Sequence, residues 1–480
     1  MMMESDIKEL QKHLTYKTEL AWDAVGGQRD EVFQFCEGYK DFLSYSKTER
    51  RCASEIRRIA EQKGFVPIEQ LKQDNAKFMP GMKVYYMQRN KTIALAVIGK
   101  QPLEGGFNLI GSHIDSPRLD LKQKPLYEDE GLAFFDTHYY GGIKKYQWVI
   151  TPLATYGTII KADGSKVEIS VGDKDSDPVF CITDLLPHLA KSQMDKKMSE
   201  GITGEGLNVL VGSMPLDVSE EEKDNIKERV KLAVLQMLQQ KYGITEEDFI
   251  SAEIELVPAF NARDLGFDRS MIISYAQDDR VCAYTSLQAL LSLNNPDKTC
   301  VALFADKEEI GSVGNTGMES VFLDRFVSEL VALDGKYNEL MVKRILLNTK
   351  ALSADVSDGL DPNYAEVEDK RNAAYIGRGV AINKYTGSRG KYGASDAHAE
   401  FVGEVRKVFN DSNIVWQASE LGKVDEGGGG TIAMFLARYG MDVLDCGVPL
   451  LSMHAPLEVS SKADVYMTYK AYKAFYEKVK

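Results

Sequence analysis

The 480-residue chain is 44% apolar with a formal charge of −14, enough for two or three domains with ordinary cores. That acidic balance argues against nucleic acid or an anionic membrane surface as the main partner. No run of 18 apolar residues is present to cross a bilayer, and the opening MMMESDIKELQKHL lacks the apolar core of a secretory signal.

Residues 31–45 and 47–62 carry apolar side chains at three- and four-residue spacing and predict two helices. After Pro80 the texture shifts to short apolar runs. Residues 92–98 (TIALAVI) and 107–111 (FNLIG) read as strands of a buried sheet. Between about 121 and 257 the turn Ala162-Asp163-Gly164-Ser165 separates the strand-like pieces 157–160 and 166–169. One helix is expected there, opened by a capping box of Ser219 and Glu222. Ile226, Val230, Ala233, Val234 and Met237 would form its apolar side, and Gly243 its end. Strand–helix alternation resumes after Pro258, with helices expected at 277–291 and 318–333 and strands at 300–305, 351–354 and 442–446. The expected fold is α/β, a central mixed sheet flanked by helices. Residues 1–120 and 258–480 are expected to form one larger α/β domain, with 121–257 a β-rich domain inserted into it. Six cysteines are scattered without CxxC spacing, two of them in strand-like stretches, which suits reduced thiols and a cytoplasmic location.

Five segments place an acid or a histidine just beyond an apolar run. They hold His113-Ile114-Asp115, Asp278-Asp279-Arg280, Glu308-Glu309, Asp355 and His454. In open α/β sheets sites gather beyond the carboxyl ends of strands, so distant segments can converge there. Two imidazoles and several carboxylates, with no thiolate, suit hard or borderline divalent ions. Two such ions about 3.5–4 Å apart need a bridging carboxylate and leave room for a shared water. Glu308 and Glu309 are adjacent, so one is expected to ligate while the other moves a proton. Asp115, two residues beyond His113, is the candidate to hold its second ring nitrogen. Each element alone has a bland reading: a polar turn, a solvated helix start, or a helix cap. Only the combination is specific.

The strings Gly111-Ser112-His113-Ile114-Asp115-Ser116-Pro117-Arg118-Leu119, Gln277-Asp278-Asp279-Arg280, Glu308-Glu309-Ile310-Gly311-Ser312, Ser353-Ala354-Asp355 and Met453-His454 resemble the aspartyl aminopeptidase and vacuolar aminopeptidase I family. Asp361-Pro362-Asn363-Tyr364 is a further matching motif, and smaller echoes are Tyr140-Gly141-Gly142, Pro187-His188-Leu189-Ala190 and Lys391-Tyr392. The resemblance implies a zinc-exopeptidase-like catalytic domain and a dimerisation domain inserted within it. It makes His113, Asp278, Glu309, Asp355 and His454 the metal ligands, with Asp278 bridging. His113 and Asp355 would hold one ion, Glu309 and His454 the other. Glu308 would be the general base and Asp115 the residue orienting His113. Family members assemble as homododecamers built from dimers, and His188 would reach a neighbouring subunit's site. Acid-specific members carry histidines where this chain has Asp358 and Asp361, which disfavours an acidic N-terminal residue unless Lys391 or Arg389 offsets the charge. Gly428, in the run 427–430, would offer backbone amides to a substrate carbonyl, and Lys391 and Tyr392 are further substrate candidates.

The resulting expectation is a metal-dependent aminopeptidase acting on peptides with a free N-terminus. It would use two divalent ions per subunit, zinc with cobalt or manganese as alternatives, around a water that Glu308 deprotonates. The rivals are a di-metal hydrolase of another amide bond, such as a dipeptide or an acyl-amino acid, and a non-catalytic self-assembling shell. A nucleotide-binding enzyme is disfavoured, because no GxGxxG follows a strand.

Overall fold

A computed structural model describes residues 4–16, 18–223 and 225–480. The run 92–97 alternates between two cores, and this alternation places its strand between two helical layers. Ile93, Leu95 and Val97 join one apolar cluster, while Ala94 and Ala96 join the other. Residues 300–305 divide the same way: Cys300, Ala302 and Phe304 face the first cluster, Val301, Leu303 and Ala305 the second. Both strands are buried on both faces, as a strand covered by helices on each side must be.

These strands belong to a nine-stranded sheet. Its order is Val66–Pro67, Lys83–Gln88, Thr92–Val97, Thr299–Ala305, Phe107–His113, Lys350–Ser353, Asp442–Gly447, Val380–Asn383 and Trp416–Ala418. The four strands from Thr299–Ala305 to Asp442–Gly447 run parallel, and antiparallel neighbours flank them. The sheet is therefore mixed. Helices Arg29–Tyr45, Glu49–Gln62, Gln277–Leu291 and Lys462–Lys478 supply one face, and Phe322–Leu333 with Glu339–Leu347 the other. The α/β class with helices on both sides is the one the sequence predicts.

Register sets the positions of the strand tips. Ala305 pairs with His113 and Ser353 with Gly111, so three adjacent parallel strands end on one edge. A five-stranded sheet of Arg263–Leu265, Met271–Ser274, Glu458–Ser461, Pro449–Leu451 and Ser357–Asp358 lies in the same part of the chain. A separate six-stranded sheet draws all its strands from residues 118–258 and has its own apolar cluster around Trp148, Leu153 and Phe249. All its recorded pairings are antiparallel.

Two predicted helices start later than expected. Ser219 Oγ donates to the Glu222 carboxylate at 2.9 Å, so the two side chains satisfy each other instead of capping backbone amides. The helix runs over Arg229–Tyr242, after Ile226, and Glu128 accepts from the amides of Val230 and Lys231 at 2.8 and 2.9 Å. A carboxylate from another strand replaces the local cap, which no local pattern could reveal. Gly243 does end it, in the left-handed conformation. The helix expected from 318 begins at Phe322, with Met318 buried in the preceding turn. Among the described residues no helix is long and apolar enough to cross a membrane.

One glycine brings the sheet and the site together. A Cβ on Gly447 would lie 1.8 Å from the Asp355 carbonyl oxygen, a backbone atom that cannot swing away. Gly447→Ala is therefore expected to cost about 2–3 kcal/mol, read as a lower urea midpoint. An unchanged midpoint would contradict this close packing.

Candidate metal centre

His113 ends the strand Phe107–His113, and Asp355 follows Lys350–Ser353 on the neighbouring strand. Glu308 and Glu309 occupy a 3-10 turn just beyond Thr299–Ala305, between left-handed Lys307 and Gly311. Asp278 lies in the first turn of Gln277–Leu291, and His454 follows Pro449–Leu451. Five distant segments thus meet at one sheet edge. The ligand atoms of His113, Asp278 and Asp355 lie within 4.8 Å of one another, as do those of Asp278, Glu309 and His454. Asp278 is common to both groups. Its two oxygens face opposite ways, Oδ1 at 3.1 Å from His113 Nε2 and Oδ2 at 3.2 Å from His454 Nε2.

Backbone carbonyls fix both imidazoles. His113 Nδ1 lies 3.1 Å from the Asp115 carbonyl and His454 Nδ1 2.8 Å from the Gly142 carbonyl. A carbonyl only accepts, so Nδ1 carries the proton in each ring and Nε2 turns inward. A neutral ring then points a lone pair at carboxylate oxygens, an arrangement that needs a proton or a cation between them. Carboxyls outnumber the imidazoles. Asp115, Asp278, Asp279, Glu308, Glu309, Asp355 and Glu458 crowd around two histidines, all largely buried. Asp278 Oδ1 and Glu309 Oε1 are buried without a hydrogen-bond partner. No lysine or arginine ion-pairs with Asp278, Glu308, Glu309 or Asp355 among the described residues. Protonating both rings cannot neutralise this excess, and divalent cations can. The donor set, imidazole and carboxylate without thiolate, fits such ions.

The titration behaviour of the metal-free site follows from this crowding. Burial opposes a charged His454, but Asp278 and Glu309 outweigh it and hold the ring up to about 11. His113 is likewise held well above its usual value, since Asp115, Asp278 and Asp355 overcome the cost of burial. Burial, reinforced by Asp355, Asp115 and Asp278, pushes Glu308 up to about 8. Folded-state histidines raised above their unfolded value favour the metal-free fold at low pH and lose that contribution as pH rises through the folded value. A metal must therefore displace protons. Adding zinc to metal-free protein at pH 7.5 is expected to release at least the protons held by the two imidazoles, measured by pH-stat titration, and fewer at higher pH. Uptake of metal with no proton release would contradict the raised proton affinity of the two rings.

Asp115 orders the whole edge. Its Oδ1 accepts the Glu308 amide at 3.1 Å, and its Oδ2 accepts the Glu309 amide at 3.2 Å and the Tyr140 hydroxyl at 2.8 Å. The aspartate is fully buried. Tyr140 ends a strand of the six-stranded sheet, and Arg118 stacks on its ring at 3.8 Å. Gly141 adopts φ +76°, and a Cβ there would press on Glu309 at 3.4 Å. The Tyr140-Gly141-Gly142 segment therefore touches Asp115 and two members of one donor group, Glu309 and His454.

Four contributors escaped the sequence reading. Glu458 accepts the amides of Asp278 and His454 at 3.1 and 2.8 Å, tying the shared aspartate to the last histidine. Asp279 accepts the His113 amide at 3.2 Å. Tyr140 and the Gly142 carbonyl orient Asp115 and His454. Tyr140-Gly141-Gly142 and Asp279 gave a signal, as an echo and as half of an aspartate pair, each without an assigned role; Glu458 gave none. Asp278, Asp279 and Arg280 are all buried, so the surface-cap alternative does not hold.

The donors open on a cavity of about 710 Å³, whose wall includes Glu308, Asn383, Gly428 and Arg438. Of the substrate candidates, Gly428 lines it and Asp358 lines an adjoining cavity. Lys391, Tyr392 and His188 line neither. Lys391 packs over Tyr385 and pairs with Asp396, while Tyr392 and His188 are exposed.

Comparison with known proteins agrees over most of the chain. The family model described as Aminopeptidase I zinc metalloprotease (M18) matches residues 42–476. A Clostridium acetobutylicum protein named "Probable M18 family aminopeptidase 1" is 53% identical over 456 residues, 95% of this chain and 97% of that one. The crystal structure of the M18 aminopeptidase from Thermotoga maritima superposes with a TM-score of 0.92 at 49% identity, covering 97% of this chain and 100% of that one. The S. cerevisiae mApe1 dodecamer shares the fold at 20% identity and a TM-score of 0.73, over 94% of this chain and 97% of that one.

Tyr140→Phe keeps the ring over which Arg118 stacks and removes only the donor to Asp115. Loss of an orienting contact of this kind is expected to weaken metal affinity about 10–100-fold, measured by chelator competition. Unchanged affinity would show that Asp115 needs no help from this strand.

Proposed function

The chain belongs to the aminopeptidase I zinc metalloprotease (M18) family, and we propose that it removes the first residue of peptides bearing a free N-terminus. The observation that carries this reading is the pair of donor groups sharing Asp278, with Glu308 beside them but outside both. His113 and Asp355 would hold one divalent ion, and Glu309 and His454 the other, with Asp278 between them. Zinc is the proposed native metal, as in the family, with cobalt or manganese chemically acceptable alternatives. When bound, such ions supply Lewis-acid polarisation of the scissile carbonyl and acidify the attacking water.

The remaining work falls to the chain's own residues. Glu308 takes the proton of the attacking water and returns it to the leaving amine. Its carboxylate lies beside both donor groups without belonging to either, which leaves it free to accept and return a proton. Asp115 holds His113 and the amides of the Glu308–Glu309 turn, so the base and the ligand beside it keep fixed places. Glu458 does the same for Asp278 and His454. The backbone amides around Gly428 line the cavity where an extended peptide would lie.

The division into 1–120, 121–257 and 258–480 is proposed with a dimerising role for the middle part, whose sheet and core are its own. A homododecamer built from such dimers is proposed on the family resemblance and the dodecameric form of the mApe1 relative. In that assembly His188, exposed on the insertion, is free to approach a neighbour's cavity. The same resemblance keeps Lys391 and Tyr392 as substrate candidates. Six unpaired cysteines suit a cytoplasmic setting.

Glu308→Gln is expected to retain metal and assembly while losing about 10²–10⁴-fold in turnover. His454→Ala is expected instead to lose metal, measured as metal per subunit. Peptides with a free N-terminus should be cleaved and their N-acetylated counterparts ignored. Cleavage of the blocked peptides, or full activity in Glu308→Gln, would overturn the proposal.

A further inference from the structure

A second cavity of about 610 Å³ adjoins the metal centre and shares Gly142, Leu421, Met453 and His454 with the first as a common wall. Its character is different. Ile143, Val367, Leu421 and Met453 line it with apolar surface, and Asp358 and Glu368 place two carboxyls within it. Glu368 is only 5% exposed, and its Oε2 has no hydrogen-bond partner. An unpartnered carboxylate oxygen buried in a cavity wall is costly unless a ligand completes it.

The two carboxyls are fixed relative to the metal donors. Asp358 ends the short strand Ser357–Asp358 and pairs in register with Leu450, on the strand that leads into His454. Glu368 follows the turn Pro362–Val367 and faces Asp358 directly. Burial, together with Asp358, pushes Glu368 up to about 7, while burial and Asp361 raise Asp358. Besides His454 on the shared wall, the charged groups lining this cavity are Asp358, Asp361 and Glu368 against one lysine, Lys144, which is exposed. The balance is negative: the Asp358 and Glu368 carboxyls lie within hydrogen-bonding reach of each other, and Glu368 Oε2 has no further partner.

We propose that this second cavity receives the side chain of the substrate's N-terminal residue, and that Asp358 and Glu368 make it select lysine and arginine. The inference rests on the aminopeptidase reading above and adds the substrate class. An exopeptidase needs one bounded pocket for the terminal side chain and one open path for the rest of the peptide. The cavity holding Gly428 and Arg438 suits the path. In the second cavity, the methylene stem of lysine or arginine lies along Ile143, Val367, Leu421 and Met453. Its cationic head then meets Glu368 Oε2 and Asp358, and a guanidinium can engage both carboxylates. Leucine fills the apolar part but leaves the buried oxygen unpaired. Aspartate and glutamate bring like charge against like.

The test is a panel of aminoacyl-4-nitroanilides, assayed on the full chain after chelation and zinc reloading. Arginine and lysine substrates are expected to exceed leucine by about tenfold or more in kcat/KM, and aspartate and glutamate by about a hundredfold or more. In Asp358→Asn and Glu368→Gln the arginine-to-leucine ratio is expected to fall about tenfold, mainly through KM for arginine. The ratio within each variant cancels any general loss of activity, and Asp358→Asn, at the less buried position, serves if Glu368→Gln does not fold. Preference for leucine or acidic substrates in the unaltered protein would overturn this inference while leaving the aminopeptidase reading intact. So would a basic preference whose ratio is the same in the variants. Turnover of no free-amino substrate at all would overturn the underlying reading instead.

Discussion

One buried carboxylate holds this site together. Asp115 accepts hydrogen bonds from two backbone amides of the turn that carries Glu308 and Glu309 and from the Tyr140 hydroxyl, and its own carbonyl accepts one from His113 Nδ1. Burying an aspartate completely is unfavourable unless every lone pair is answered, and here both oxygens are. The consequence is geometric. A strand end, a 3-10 turn and a strand of the six-stranded sheet are tied to one group, so none of them shifts without the others.

Around that anchor the chain accepts an electrostatic imbalance that folding alone would disfavour. Asp278, Glu309, Asp355 and Glu458 surround two imidazoles whose inward nitrogens are both turned toward oxygen. Neighbouring acids and burial hold Glu309 and Asp355 above their ordinary proton affinities. The backbone contacts, Asp115 to the Glu308–Glu309 turn and Glu458 to Asp278 and His454, keep these groups from relaxing apart. Fold stability and cation binding are thus coupled, since the ions remove the repulsion that the scaffold imposes.

Much of the fold was legible because its strands are short, apolar and covered on both faces. The runs 92–98 and 300–305 declare themselves by composition, and the helix Gln277–Leu291 has the bounds its pattern predicts. The strand-end segments were legible as chemistry because imidazoles and acids beyond buried runs are uncommon together, and they do meet in space. What stayed hidden depends on partners remote in sequence. The helix Arg229–Tyr242 starts where Glu128 caps it, not where Ser219 offers a local box. Glu458 looks like any acid in a short strand until its two amide donors are seen. Glu368 had no sequence signal, because its place beside Asp358 in the second cavity comes from segments that meet only in the fold.

The account stands on five side chains gripping two ions in common while a sixth, Glu308, stays free. Anomalous diffraction at the zinc edge, from crystals of zinc-loaded protein, tests this directly. It should show two peaks per subunit, one flanked by His113 and Asp355, the other by Glu309 and His454, with Asp278 touching both. A single peak, peaks away from Asp278, or Glu308 bound as a ligand would contradict it.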